Sequence, residues 1–114
     1  MDPFTSEIIK NSFTTLADEM FFAMQRTSKS PIIYEVLDFG VGVTDARGNL
    51  LAMGYGVPFL LASLESLVHG VINKNGLEKI HPGDVFISND TNEGAGTHLN
   101  DMGLVAPVYH KGEL

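Results

Sequence analysis

Between Asn89 and Asp101 the chain reads Asn-Asp-Thr-Asn-Glu-Gly-Ala-Gly-Thr-His-Leu-Asn-Asp, which gathers carboxylates and an imidazole on one glycine-bearing stretch. His98 and Asp101 stand three residues apart, a spacing that lets both reach one ion across a turn. Imidazole nitrogen and carboxylate oxygen together suit Zn, Mn, Fe or Co. The sequence has no cysteine, so disulfides, thiol nucleophiles and thiolate metal sites are excluded, and any metal must be held by histidine and carboxylate. Spacing alone also admits a plainer reading, in which Asp90, Asn92 and Asp101 cap turns and His98 is solvated, and on spacing alone that reading carries more weight.

Asp38 is the second candidate. It lies in the apolar alternation Leu37, Phe39, Val41, Val43, where an acid costs desolvation unless it pairs or binds metal. A solvent-facing strand position is the alternative. Two other chemistries fail at the level of residue types. An EF-hand starting at Asp90 would have Gly94 as its third ligand and no Glu at the twelfth position. A phosphate-cradling loop at Gly94 and Gly96 lacks the following Lys-Ser/Thr and a helix to offer its amides. His81 before Pro82-Gly83 reads as a turn residue, His69 as a helix-surface residue and His110 as a strand end.

These residues need elements to hold them. Ile9, Phe13, Leu16, Met20 and Met24 recur at helical steps and predict an amphipathic helix over 4–28, started by Asp2-Pro3 or Thr5 and stopped by Lys29-Ser30-Pro31. Period-two alternation from Leu37 to Val43, the turn Asp45-Ala46-Arg47-Gly48 and a returning apolar run predict a hairpin over 36–54. On the first strand Asp38 would share its face with Gly40 and Gly42, leaving that face open to close approach by another element or a ligand. Leu60, Leu64, Leu67, Val68 and Val71 predict a second helix over 59–75 with a left-handed cap at Gly76. Strands are expected over 84–88 and 102–109, with the chemistry-bearing loop 89–101 between them, and Tyr109 to Leu114 reads as the start of a further hairpin. The fold class is therefore α+β: two amphipathic helices on a small mixed sheet with a β-hairpin.

Composition narrows the function. A chain of 114 residues with 44% hydrophobic residues builds one modest core, and its low 18% charged content leaves apolar surface meant for a partner. The formal charge of −7 and the presence of only two arginines, Arg26 and Arg47, argue against nucleic acid. No apolar stretch reaches the roughly 20 residues of a membrane-spanning helix, and Asp2, Pro3 and Glu7 do not suit a signal peptide, so a cytoplasmic location is expected.

Taken in order, Asp2-Pro3-Phe4-Thr5, Asp18-Glu19-Met20, Arg26-Thr27, Leu37-Asp38-Phe39, His81-Pro82-Gly83-Asp84-Val85-Phe86, Asn89-Asp90 and Gly96-Thr97-His98-Leu99-Asn100-Asp101 resemble the N-terminal region of the hydantoinase B family. That family includes one half of 5-oxoprolinase and one subunit of acetone carboxylase. The resemblance runs across nearly the whole chain, and it tips the balance at the loop toward a metal site. It implies part of a larger multi-domain subunit that works with an ATP-using hydantoinase A-like partner in a hetero-oligomer, on a small-molecule substrate. The implied reaction is hydrolytic ring opening of a hydantoin, lactam or 5-oxoproline, with ATP used on the partner. A carboxylase subunit of the acetone or acetophenone carboxylase type and a non-enzymatic assembly module are the alternatives. Carried over by position, Asp38, His98 and Asp101 are expected metal ligands and Asp90 an adjacent catalytic group. Two departures stand out: a family motif resembling Gly-His-x-Ala-Asp-x-Gly, with a further histidine ligand, is not in the sequence, and no histidine stands near Gly56-Val57-Pro58-Phe59.

Overall fold

The computed structural model describes residues 1–93 and 96–114; Gly94 and Ala95, inside the expected metal-site loop, lie outside the described residues. Helix α1 covers Pro3–Thr27. Asp2 caps it by accepting from the Thr5 amide at 3.1 Å, while Pro3 occupies the first turn, where a missing N–H costs nothing. The helix stops at Ser28, and Pro31 opens a single further turn, α2, over Pro31–Tyr34.

Beyond α2 the structure corrects one expectation. Strand β1 spans Gly40–Thr44 and does not begin at Leu37. Leu37 sits at φ 61°, and the Asp38 amide donates to the Ile32 carbonyl at 3.0 Å, so both residues close the α2 turn before the strand ladder starts. Asp38 is exposed on that connector and does not share a strand face with the glycines. The reason is local: Pro31 pre-sets helical φ and nucleates a turn whose carbonyls take up the amides of Glu35, Val36 and Asp38.

Strand β1 pairs antiparallel with β2, Leu50–Gly56, with register irregularities between Gly40 and Gly42 and between Val43 and Thr44. Asp45 builds the turn: its Oδ1 accepts from the amides of Arg47 and Asn49, and Gly48 adopts φ 93°. Helix α3, Pro58–Asn75, packs on the hairpin from the side of the β1 glycines, where a β-carbon at Gly42 would stand 2.8 Å from Leu64 Cδ1 and one at Gly40 3.1 Å from Leu61 Cδ2. The expected close approach is made by this helix. From the other side α1 seats Ala17 against Gly54 and stacks Phe21 on Phe39, with ring centroids 4.3 Å apart and planes 12° apart.

The buried face of α1 is Ala17 and Phe21, with Phe13 half-buried. The expected stripe is largely elsewhere: Ile9, Leu16, Met20 and Met24 stay between 37% and 43% exposed. Two apolar faces run along this helix, and the small Ala17 decides between them because only there can helix backbone come down onto a glycine of the hairpin.

A 3₁₀ turn at Leu77–Lys79 follows α3, and the second strand pair is β3, Phe86–Ser88, with β4, Gly103–Val105, antiparallel. Both strands are shorter than expected, and Pro107, which has no amide to give, stands just past the end of β4. Gly103 lies against Leu67 of α3, and the Tyr109 hydroxyl donates to the Ile80 carbonyl at 2.6 Å. Helix α3 touches both strand pairs and lies between them, which is why the strands form two antiparallel sheets and not one. The α+β class holds, with layers in the order α1, β1–β2, α3, β3–β4. Among the described residues no helix is long and apolar enough to cross a membrane.

Candidate metal site

The loop joining β3 to β4 is tied across its base, where the Asn89 side-chain amide donates to the Leu99 carbonyl at 2.9 Å. Just inside, Asp90 donates its own amide to the Ser88 hydroxyl and uses Oδ1 to cap Asn92 N at 3.0 Å, opening the 3₁₀ turn Thr91–Glu93. Asp90 is thus a half-buried turn residue.

On the returning arm His98 and Asp101 meet. The Asp101 amide donates to the His98 carbonyl at 3.0 Å, and this tight turn brings His98 Nδ1 to 3.5 Å from Asp101 Oδ1. The two oxygens of Asp101 have separate tasks. Oδ2 accepts from the Thr97 amide at 2.8 Å and lies 3.4 Å from the Thr97 hydroxyl, whereas Oδ1 faces the imidazole. Donation by the Thr97 amide is the largest influence on the Asp101 carboxyl and outweighs the upward push of burial; with a lesser contribution from the nearby His98, it holds the group below the ordinary 3.8. The carboxylate is therefore ionised near neutrality and oriented by the backbone. Its side chain is 19% exposed, while the imidazole is 63% exposed and open to an incoming ligand.

This pair fits two positions on one ion. Two donors at metal distances near 2.1 Å stand about 3.0–3.4 Å apart on an octahedral or tetrahedral edge, close to the 3.5 Å observed. The Thr97 amide on the remote oxygen is the kind of support that fixes a metal-binding carboxylate. Among the described residues no three of His, Asp and Glu come together in a group that could hold a metal, so Asp38 is not gathered to the pair. Thr97 and Asn89 are the positioning residues that sequence reading left without a role; the four-residue step from Thr97 to Asp101 was the available signal.

His81 is where the sequence placed it, in a turn: its amide donates to Asp84 Oδ2 at 2.7 Å, with Gly83 at φ 90°. An open depression of about 650 Å³ lies between α3 and the Thr91–Glu93 turn, lined by Ser66, His69, Asn73, Lys74, Thr91 and Asn92. Neither His98 nor Asp101 lines it.

The profile of the Hydantoinase B/oxoprolinase family matches residues 2–114, which is nearly every position. The chain belongs to the hydantoinase B/oxoprolinase family. Similar relatives include an uncharacterized protein of Methanocaldococcus jannaschii, 36% identical over 117 residues covering 100% of this chain and 20% of the relative. A 5-oxoprolinase of Saccharomyces cerevisiae is 35% identical over 115 residues, 100% of this chain and 9% of the relative. A protein of Pseudomonas sp., named provisionally as one subunit of a D-/L-hydantoinase, is 32% identical over 117 residues, 100% of this chain and 20% of the relative. The chain therefore spans between 9% and 20% of the length of these hydantoinase B/oxoprolinase relatives. No solved structure matches it.

Proposed function

We propose that this chain supplies two ligands, His98 and Asp101, to a divalent-metal site of a hydantoinase B-like subunit that opens a cyclic amide ring by hydrolysis. The hydantoin, lactam or 5-oxoproline substrate is activated with ATP by a hydantoinase A-like partner. The observation that carries the reading is the division of labour at Asp101, with Oδ2 tied to the Thr97 amide and Oδ1 turned to His98. Family membership supports it, and the names of the yeast and Pseudomonas relatives favour hydrolysis over carboxylation.

A divalent ion bound there would act as a Lewis acid toward the activated carbonyl and lower the pKa of water. Within the chain, Asp101 keeps a negative charge on the loop, and the exposed His98 presents its imidazole beside it. Asp90, its Oδ1 occupied by the Asn92 amide, keeps Oδ2 for a proton and is the acid–base group in this reading. Asp38, exposed on the connector after α2 and not gathered to the pair, stays outside this two-ligand set.

The test is His98→Ala in the full assembly, with metal content by inductively coupled plasma mass spectrometry and ATP turnover measured separately. Metal should be lost and ring opening abolished, with ATP turnover by the partner kept at least in part. Retention of both metal and full activity would overturn the assignment.

A further inference from the structure

Among the described residues the β3–β4 pair has an inner face on α3 and no element packed on its outer face. Phe86↔Val105 and Ser88↔Gly103 are the half-buried pairs, and Gly103 lies against Leu67. The alternate pair, Ile87↔Leu104, points away from α3, with Ile87 64% and Leu104 61% exposed. Strand alternation puts Val85 and Met102 on the same side, 65% and 56% exposed, and Val108 continues the exposed series. From Val85 to Ile87 and from Met102 to Val108 no polar residue alternates into this face, unlike the outer face of a sheet meant for water, and Asn89 follows only where the loop begins. Val85-Phe86-Ile87 and Leu104 to Tyr109 are instead continuous apolar runs, the pattern of strands covered on both sides. A two-stranded sheet is also marginal in water without further cover.

We infer that the outer face of β3–β4 is a docking surface for the part of a hydantoinase B polypeptide that lies beyond the segment matched here. The face exposes apolar surface on the order of 500 Å², at the upper end of the largest patch a monomer carries. A second copy is a poor occupant. Self-pairing would bury about 1,000 Å² in total, below the 1,200–2,000 Å² of stable complexes, and it would bring together two chains of formal charge −7. The relatives supply the alternative, since the matched segment is 20% of the archaeal and Pseudomonas proteins, each of which carries about four times that length of further polypeptide. Because β3 and β4 are the two stems of the loop carrying His98 and Asp101, a layer seated on them borders that loop. Its placement to supply the remaining metal ligands rests on the proposed function; the docking itself does not.

The experiment is co-expression of this chain with a tagged remainder of the M. jannaschii relative, its matched segment deleted. The unaltered chain should be recovered with the remainder. Ile87→Lys and Leu104→Lys should each lower recovery at least tenfold, whereas Leu51→Lys, at an exposed position of the other hairpin, should not. Circular dichroism of each variant chain alone checks that α1 and α3 are retained. No recovery of the unaltered chain overturns the inference, as does unchanged recovery of both lysine variants or a dimer of the chain alone that Leu104→Lys dissolves. His98→Ala should be recovered normally; if it is recovered with its metal, the metal reading fails and the docking surface stands.

Discussion

Replacing Gly54 with alanine adds one methyl group to β2 where Ala17 of α1 lies against it. Gly54 is not among the residues with positive φ, so the backbone accepts alanine without strain, and the effect is one of space alone. The new carbon would stand 2.5 Å from the Ala17 carbonyl oxygen and 2.9 Å from its carbonyl carbon, against ordinary contacts that begin at 3.4 Å. These are helix backbone atoms, which cannot swing aside, so α1 must retreat by about 0.9 Å or the strand must bend. Overpacking of this kind costs about 1–3 kcal/mol, and immobile neighbours place it at the upper end. Alanine returns about 0.5–1 kcal/mol by restricting the unfolded chain. The net loss is about 2 kcal/mol, a large share of the roughly 5–15 kcal/mol that holds a domain of this size. Urea denaturation followed by circular dichroism measures it, with a fall in Tm of about 8 °C as the thermal counterpart. Gly83→Ala is the contrasting control: at φ 90° with nothing within 4 Å, it tests strain without crowding and should cost about 1 kcal/mol. A Gly54→Ala protein as stable as the parent, or less affected than Gly83→Ala, would refute the placement of α1 on the hairpin.

Phe21→Ala removes a ring that is 3% exposed and stacked on Phe39, and should lose about 4 kcal/mol in the same urea experiment, leaving about 1 kcal/mol, and so roughly one molecule in six unfolded, if the total lies at the low end of about 5 kcal/mol. Asp101 gives a pH dependence. Its folded pKa is depressed, so its contribution to stability is fully present above 3.8, the unfolded value, and is lost as pH falls through the lower folded value. In Asp101→Asn that part of the acid sensitivity should disappear, and in the parent a carboxyl carbon titrating below 3.8 by NMR should be the resonance that the substitution removes.

The two long helices and the hairpin turn were legible in the sequence because their signals are local, whereas the single turn α2 was not read. Asp2-Pro3 at the start of α1, Gly76 at the end of α3 and Asp45-Ala46-Arg47-Gly48 at the hairpin tip each act within a few residues of themselves. What was not legible depended on distance. Periodicity showed an apolar stripe on α1 but could not say that a glycine across the layer would choose Ala17 and Phe21 instead. The start of β1 was misplaced because alternation continues through Leu37 and Asp38 while the amide of Asp38 is already committed to Ile32. At the loop, the His98–Asp101 spacing was readable, and the meeting of the two groups follows from a tight turn. The support from Thr97 left only the four-residue step to Asp101 as its signal, since the main donor is a backbone amide, which any residue type supplies.

The order of the layers has a consequence for assembly in time. α1, β1, β2 and α3 form a stack from contacts that all fall within residues 3–75. Nothing in that stack waits for β3, the loop or β4, so the platform can close before the loop bearing His98 and Asp101 has any surface to settle on. The strand pair bearing the His98–Asp101 loop meets that stack at Leu67, and Tyr109 ties it to Ile80 of the connector. Local opening of the native chain should follow the same seam: amides of β3 and β4 exchange with solvent first, and those of the stack only with global unfolding.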